Sequence, residues 1–180
     1  NMILFVPQTF QNLSKVYLEA VDVEFGYSHA VNWFGGNERL GVRLFGTYLI
    51  ENSTTNSQGV KTESTGDSAQ QLFERKANLS LNYSNGAFSG NLQARYIAGG
   101  KLSSLYNLYS PTLDRVNYNV ADNSIGSVFY WDTRIGYELP VAGGNLELFA
   151  NVNNLLDRDP PLVLGLNSSA QIGGGFNTLG

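Results

Sequence analysis

The 180-residue chain has no cysteine, so it can hold neither a disulfide framework nor a thiolate metal site. It has one histidine, His29, and with no second histidine or cysteine the sequence offers it no companion for metal binding or catalysis. No GxSxG elbow is present, and no helix follows the glycines at 99–100 or 173–175, which excludes a nucleophile elbow and a phosphate cradle. Charge is scarce: 14% of residues are charged, against about 25% in an average soluble domain. The net charge of −4 and the lack of any basic stripe argue against an electrostatic nucleic-acid binder. Apolar runs end after a few residues, as in Met2–Pro7, too short for a membrane-crossing helix, and no signal peptide opens the chain. Neither an enzyme nor a cofactor is indicated.

Glycine (20 residues) and aromatics (12%) are plentiful instead, a composition that suits an all-β protein. Six stretches alternate between apolar and polar residues, the signature of strands with two unlike faces. The cleanest is Glu38–Glu51, with Leu40, Val42, Leu44, Gly46, Tyr48 and Ile50 on one side and Arg39, Arg43, Thr47 and Glu51 on the other. The pattern predicts strands at 16–29, 38–51, 72–84, 87–99, 127–139 and 145–153. The connections AVNWFGGN, SNGA and PVAGG are short and contain glycine, as tight reversals require. The others, 52–71, 100–126 and 154 onward, are long and polar. Short turns at one rim and long loops at the other describe an antiparallel up-and-down meander of the kind found in transmembrane barrels.

The side chains fit a wall between lipid and water. Phe25, Tyr27, Tyr83, Phe88 and Tyr137 fall toward the short turns on the apolar face, and Tyr48, Phe73, Tyr96, Phe129 and Trp131 toward the long loops. Mostly aliphatic residues lie between these two aromatic belts, as in an outer-membrane barrel. A lysine or arginine at mid-bilayer on that face would cost roughly 2–4 kcal/mol. The charges there, Arg75 and Glu19, both lie near a strand end. A soluble β-sandwich also alternates, but its strands are usually about five or six residues long and it has no need of aromatic belts.

The run NLELFANVNNLLDRDPP (145–161) resembles the penultimate strand and following loop of TonB-dependent outer-membrane receptors, with Leu156 standing where that family has phenylalanine. YWDTRIGYEL (130–139), NLQARYIAGGKL (91–102) and QNLSKVYLEAVDVEFGY (11–27) resemble other strands of the family's barrel. The resemblance implies that residues 1–180 are the C-terminal part of a 22-stranded transmembrane barrel, without its plug domain, TonB box or final strand. Asn1 and Gly180 read accordingly as cuts inside a longer polypeptide. The implied partners are outer-membrane lipid, the plug of the same polypeptide, the TonB complex and a small solute, a siderophore or an oligosaccharide. The implied role is energised import of a scarce nutrient.

Candidate ligand contacts are Tyr106, Tyr109 and Tyr118, in a loop where rings can stack on sugars or aromatic ligands, and Arg43, Arg95 and Arg134 on the polar face. Packing within the loop, and cross-strand pairing in a wet lumen, are the plainer readings of the same residues. Asp157 and Asp159 flank Arg158 before Pro160 and Pro161, a pattern that fits a strand-capping turn better than a calcium site. Two alternatives stay open at this point: a soluble carbohydrate-binding or adhesin module, and a small self-contained barrel, which six strands are too few to close.

Overall fold

The computed structural model describes residues 14–104, 107–108, 119–120 and 122–161, and these contain no helix. Six long strands run in order: β1 (Ser14–Val31), β2 (Glu38–Asn56), β3 (Arg75–Asn85), β4 (Phe88–Ile97), β5 (Val128–Val141) and β6 (Gly144–Val152). Each pairs antiparallel with the next, the meander that the alternation predicts. A short strand, Lys61–Glu63, extends the sheet beside the far end of β2.

Register brings like faces together. One row crosses the sheet as Phe25, Leu44, Leu79, Ala94 and Trp131; the next is Tyr27, Val42, Leu81, Leu92, Thr133 and Val152. A slip of one residue at any pair would break this stripe, so the pattern excludes odd slips and leaves even ones to the turns. The stripe is not a core: Val23, Phe25 and Ile135 are 56%, 52% and 51% exposed. The sheet is also staggered. Tyr137 stands opposite Phe88 at the β3–β4 turn, yet β5 continues to Val141 before its own turn. Such a shift is what tilted barrel strands require, and it sets Phe25 and Trp131 at different depths although they share a row. The aromatic belt at the short-turn rim has a further member, Trp33, whose ring stacks on Tyr83 at 6.4 Å. The turn carrying it is held by the buried Glu38, whose carboxylate accepts from the Trp33 and Phe34 amides at 2.7 and 2.8 Å.

Two sequence expectations fail at the long-loop rim. Glu19 faces Glu51 but Ala20 faces Leu49, so Ile50 has no partner and β2 carries a bulge. Ile50 is therefore the extra residue, not a rung of the apolar stripe, and Glu51 lies on the outer face opposite Glu19 rather than on the polar one. Phe73 likewise leaves the outer belt. The chain turns at Gln71, whose φ is 59°, and β3 begins only at Arg75, so Phe73 is not part of the alternation. It lies 3% exposed in a small cluster with Ile97, Leu102, Ile125 and Val128, against which Tyr130 packs. Ile97, Val128 and Tyr130 share the parity of the polar face, so this cluster sits on the inner side, where the two long loops fold over the sheet.

Candidate functional site

The polar face is a set of cross-strand pairs. The Arg43 guanidinium lies 2.6 Å from Glu24, Arg95 3.0 Å from Asp132, and Arg134 2.7 Å from Glu147. The Thr47 hydroxyl donates to Asp22 at 2.7 Å, and the Asn91 amide donates to Ser80 at 2.9 Å and to Asn82 at 2.8 Å. Arg134 also rests over the Phe149 ring at 4.4 Å, and Arg95 over Tyr130 at 5.5 Å. The Arg43–Glu24 and Arg134–Glu147 pairs are exposed and contribute about 0.2–1 kcal/mol each, whereas Arg95–Asp132 is half-buried. Their larger effect is to keep the inner wall charged, wet and ordered.

The three arginines expected to meet a solute thus share one face, but each is held by a carboxylate and they do not converge. Tyr106, Tyr109 and Tyr118 lie outside the described residues. A groove of about 390 Å³ opens on the inner face between Arg39 and Arg134, with Asn82, Ser84, Ser89 and Asn91 among its lining residues. Arg39 has no partner among the described residues. Two guanidiniums over a bed of amides and hydroxyls can hold carboxylates or sugar hydroxyls through forked hydrogen bonds. Alternation placed Arg39, Asn82 and Asn91 on this face, but only the observed register joins them. His29 lies in β1 facing Leu40, its ring stacked on Tyr27 at 6.1 Å. Among the described residues no cluster of three metal-ligating side chains occurs.

Above this face the two long loops are tied to each other. Asp67, 0% exposed, accepts from the Ser104 amide at 2.7 Å, the Ser104 hydroxyl at 2.6 Å and the Gln70 side chain at 3.0 Å. Burial pushes the Asp67 carboxyl up, but these donors together outweigh it and hold it below the ordinary aspartate range. Backbone bonds reinforce the tie: Ser68 N–H to Lys101 O at 2.9 Å, Ala69 N–H to Leu102 O at 3.1 Å, and Lys101 N–H to Gly66 O at 2.8 Å. The chains cross so closely that a Cβ on Gly100 would overlap the Gly66 carbonyl. Nothing in the sequence marked Asp67.

The 145–161 run has an equally specific geometry. The Asn154 amide donates to Asp132 Oδ1 at 2.9 Å, and the other oxygen of that carboxylate takes Arg95. The Asn154 side chain accepts from the Arg158 amide at 2.9 Å and donates to the Arg158 carbonyl at 3.1 Å. Asn154 and Asp157 have φ of 53° and 47°, left-handed positions that Asn and Asp tolerate. Asn154, rather than Asp157 or Asp159, therefore caps the end of β6, and Leu155 N–H bonds back to Trp131 O at 2.6 Å. Two motifs distant in sequence, YWDTR and NNLLDRD, meet through one aspartate.

A protein-family model for the TonB dependent receptor-like β-barrel matches residues 1–155. No curated protein and no solved structure matches the chain. With the meander, its outward apolar stripe and its paired inner face, that match over most of the sequence means that the chain belongs to the TonB-dependent receptor family of outer-membrane β-barrels.

Proposed function

We propose that this chain is the C-terminal part of the barrel of a receptor that imports a scarce nutrient, a ferric siderophore or an oligosaccharide, across the outer membrane with energy delivered through TonB. In this reading the six strands belong to a 22-stranded wall, and the plug, TonB box and last strand lie in other parts of the polypeptide. The loop tyrosines Tyr106, Tyr109 and Tyr118 meet the solute first; Arg43, Arg95 and Arg134, with the groove beside Arg39, line its way inward. The observation that supports this best is the pairing of an exposed apolar stripe outside with a wet, charge-paired face inside. A soluble sugar-binding sandwich would bury that stripe against a second sheet, yet Val23 and Phe25 remain more than half exposed.

The test is uptake in cells lacking the complete receptor gene and in cells carrying it, with labelled ferric siderophores and oligosaccharides offered in turn. Accumulation of at least one solute is expected to need the gene and to collapse when a protonophore removes the proton gradient. Gene-dependent uptake that survives the protonophore, or no gene-dependent uptake of either class, overturns the reading.

A further inference from the structure

The turn between β3 and β4 holds a reactive sequence. Of the asparagines in the chain, Asn85 alone is followed by glycine. The main-chain nitrogen after an asparagine attacks the side-chain carbonyl carbon to close a five-membered ring, and glycine hinders that approach least because it lacks a Cβ. Asn85 closes the β3–β4 ladder opposite Phe88, which leaves Gly86 and Ala87 as the loop. Gly86 is exposed, its φ is 55°, and a Cβ built on it would meet nothing within 4 Å. The attacking nitrogen thus sits in an open turn, on the residue with the widest backbone freedom.

Hydrogen bonds hold other asparagine side chains in place. Asn56 accepts from the Gln58 and Val60 amides at 3.0 and 2.9 Å, and Asn123 bonds Ser103 in both directions at 3.2 and 3.0 Å. Among the described residues, the Asn85 carboxamide has one such bond, a donation to Glu38 Oε1 at 3.5 Å, the outer limit of the interaction. Its oxygen lies against Gly36, where a Cβ would overlap it. Asn85 and Glu38 are directly opposed across β2 and β3. The Glu38 carboxylate is the group that holds the Trp33 turn, and it is 2% exposed.

We propose that Asn85 is a site of spontaneous deamidation, and that the product loosens the turn carrying Trp33. The Gly86 nitrogen gives up its proton and bonds to Asn85 Cγ; the Cγ–Nδ2 bond breaks and Nδ2 departs as ammonia with that proton. Water then opens the cyclic imide. Addition at Cγ gives aspartate, and addition at the main-chain carbonyl gives isoaspartate. One water enters as one ammonia leaves, and nothing is oxidised or reduced. Either product sets a carboxylate opposite Glu38 where a donor had been, and opposed like charges destabilise the pair. Isoaspartate also adds a carbon to the main chain at a two-residue loop. Trp33 is then released from its stack on Tyr83. The proposal concerns the short-turn rim and is independent of the solute carried.

The complete receptor, purified in mild detergent, is aged at mildly alkaline and at weakly acid pH. Peptide mapping by mass spectrometry reads the acid formed at each asparagine, and isoaspartyl methyltransferase labels the isoaspartate. Conversion of Asn85 is expected to run about tenfold ahead of Asn56 and Asn123, each followed by serine, and to quicken as pH rises because the attacking nitrogen must lose its proton. Asn85→Asp, which installs one product directly, is expected to raise hydrogen exchange at the Trp33 and Phe34 amides about tenfold. The aged parent, which folded before it changed, supplies that reading if Asn85→Asp does not fold. An Asn85 amide that lasts as long as those of Asn56 and Asn123, or exchange at Trp33 and Phe34 unaltered after conversion, overturns the proposal.

Discussion

Asp67 looks like an ordinary loop residue in the sequence, surrounded by Ser, Thr and Gly, and its partner Ser104 belongs to the other long loop. Only the folded chain reveals that it carries the tie between them. Its carboxyl is held below the ordinary value of 3.8, so the stability it contributes is complete above that value and is lost as pH falls through the lower folded value. Asp67→Asn is expected to cost about 1–3 kcal/mol, since one oxygen becomes a donor facing the donors of Ser104. Hydrogen exchange at the Ser68, Ala69, Lys101 and Leu102 amides should quicken together in that variant at neutral pH, and in the parent at acid pH after correction for intrinsic rates. Unchanged exchange in Asp67→Asn would mean that the backbone crossing at Gly66 and Gly100 suffices. The arginines show the opposite limit. Parity placed Arg43, Arg95 and Arg134 on one face correctly, because parity is local; their carboxylate partners depend on register and had to be observed.

The strands were the most legible part of the chain. Period-two alternation is written within each segment, and all six long strands occur within a few residues of where it puts them, with their faces as expected except at Ile50, Glu51 and Phe73. It erred where a strand does something that its own residues do not encode. The bulge is a two-against-one mismatch between strands, invisible in β2 alone. Inserting one residue between Glu19 and Ala20 should give Ile50 a partner, restore simple pairing and turn Thr55 inward and Thr54 outward. Cysteines at positions 54 and 55, treated in the intact receptor with a reagent too bulky to enter the barrel, are expected to exchange reactivity in the insertion variant. The same pattern in both proteins would remove the bulge as the cause of Glu51 facing outward. Phe73 erred for a related reason: its parity matched β3, but the turn at Gln71 decides where β3 starts.

At the scale of the molecule, the sheet has an apolar outer face in the open and unpaired edges at β1 and β6 among the described residues. Both are aggregation hazards in water and neither is one in a closed barrel within lipid. Residues 1–180 expressed alone should precipitate from buffer and be recovered only with detergent, as light scattering across a detergent titration would report. A clear monomeric solution with cooperative unfolding would argue against the membrane wall. Within that wall the close crossing at Gly66 and Gly100 divides each long loop into a fastened base and a tip. Substitutions at the base disturb both loops at once, whereas those at the tips are borne by one. Relatives that come to recognise new solutes should therefore diverge at the tips and keep the two small residues at the crossing: a fixed socket beneath exchangeable fingers.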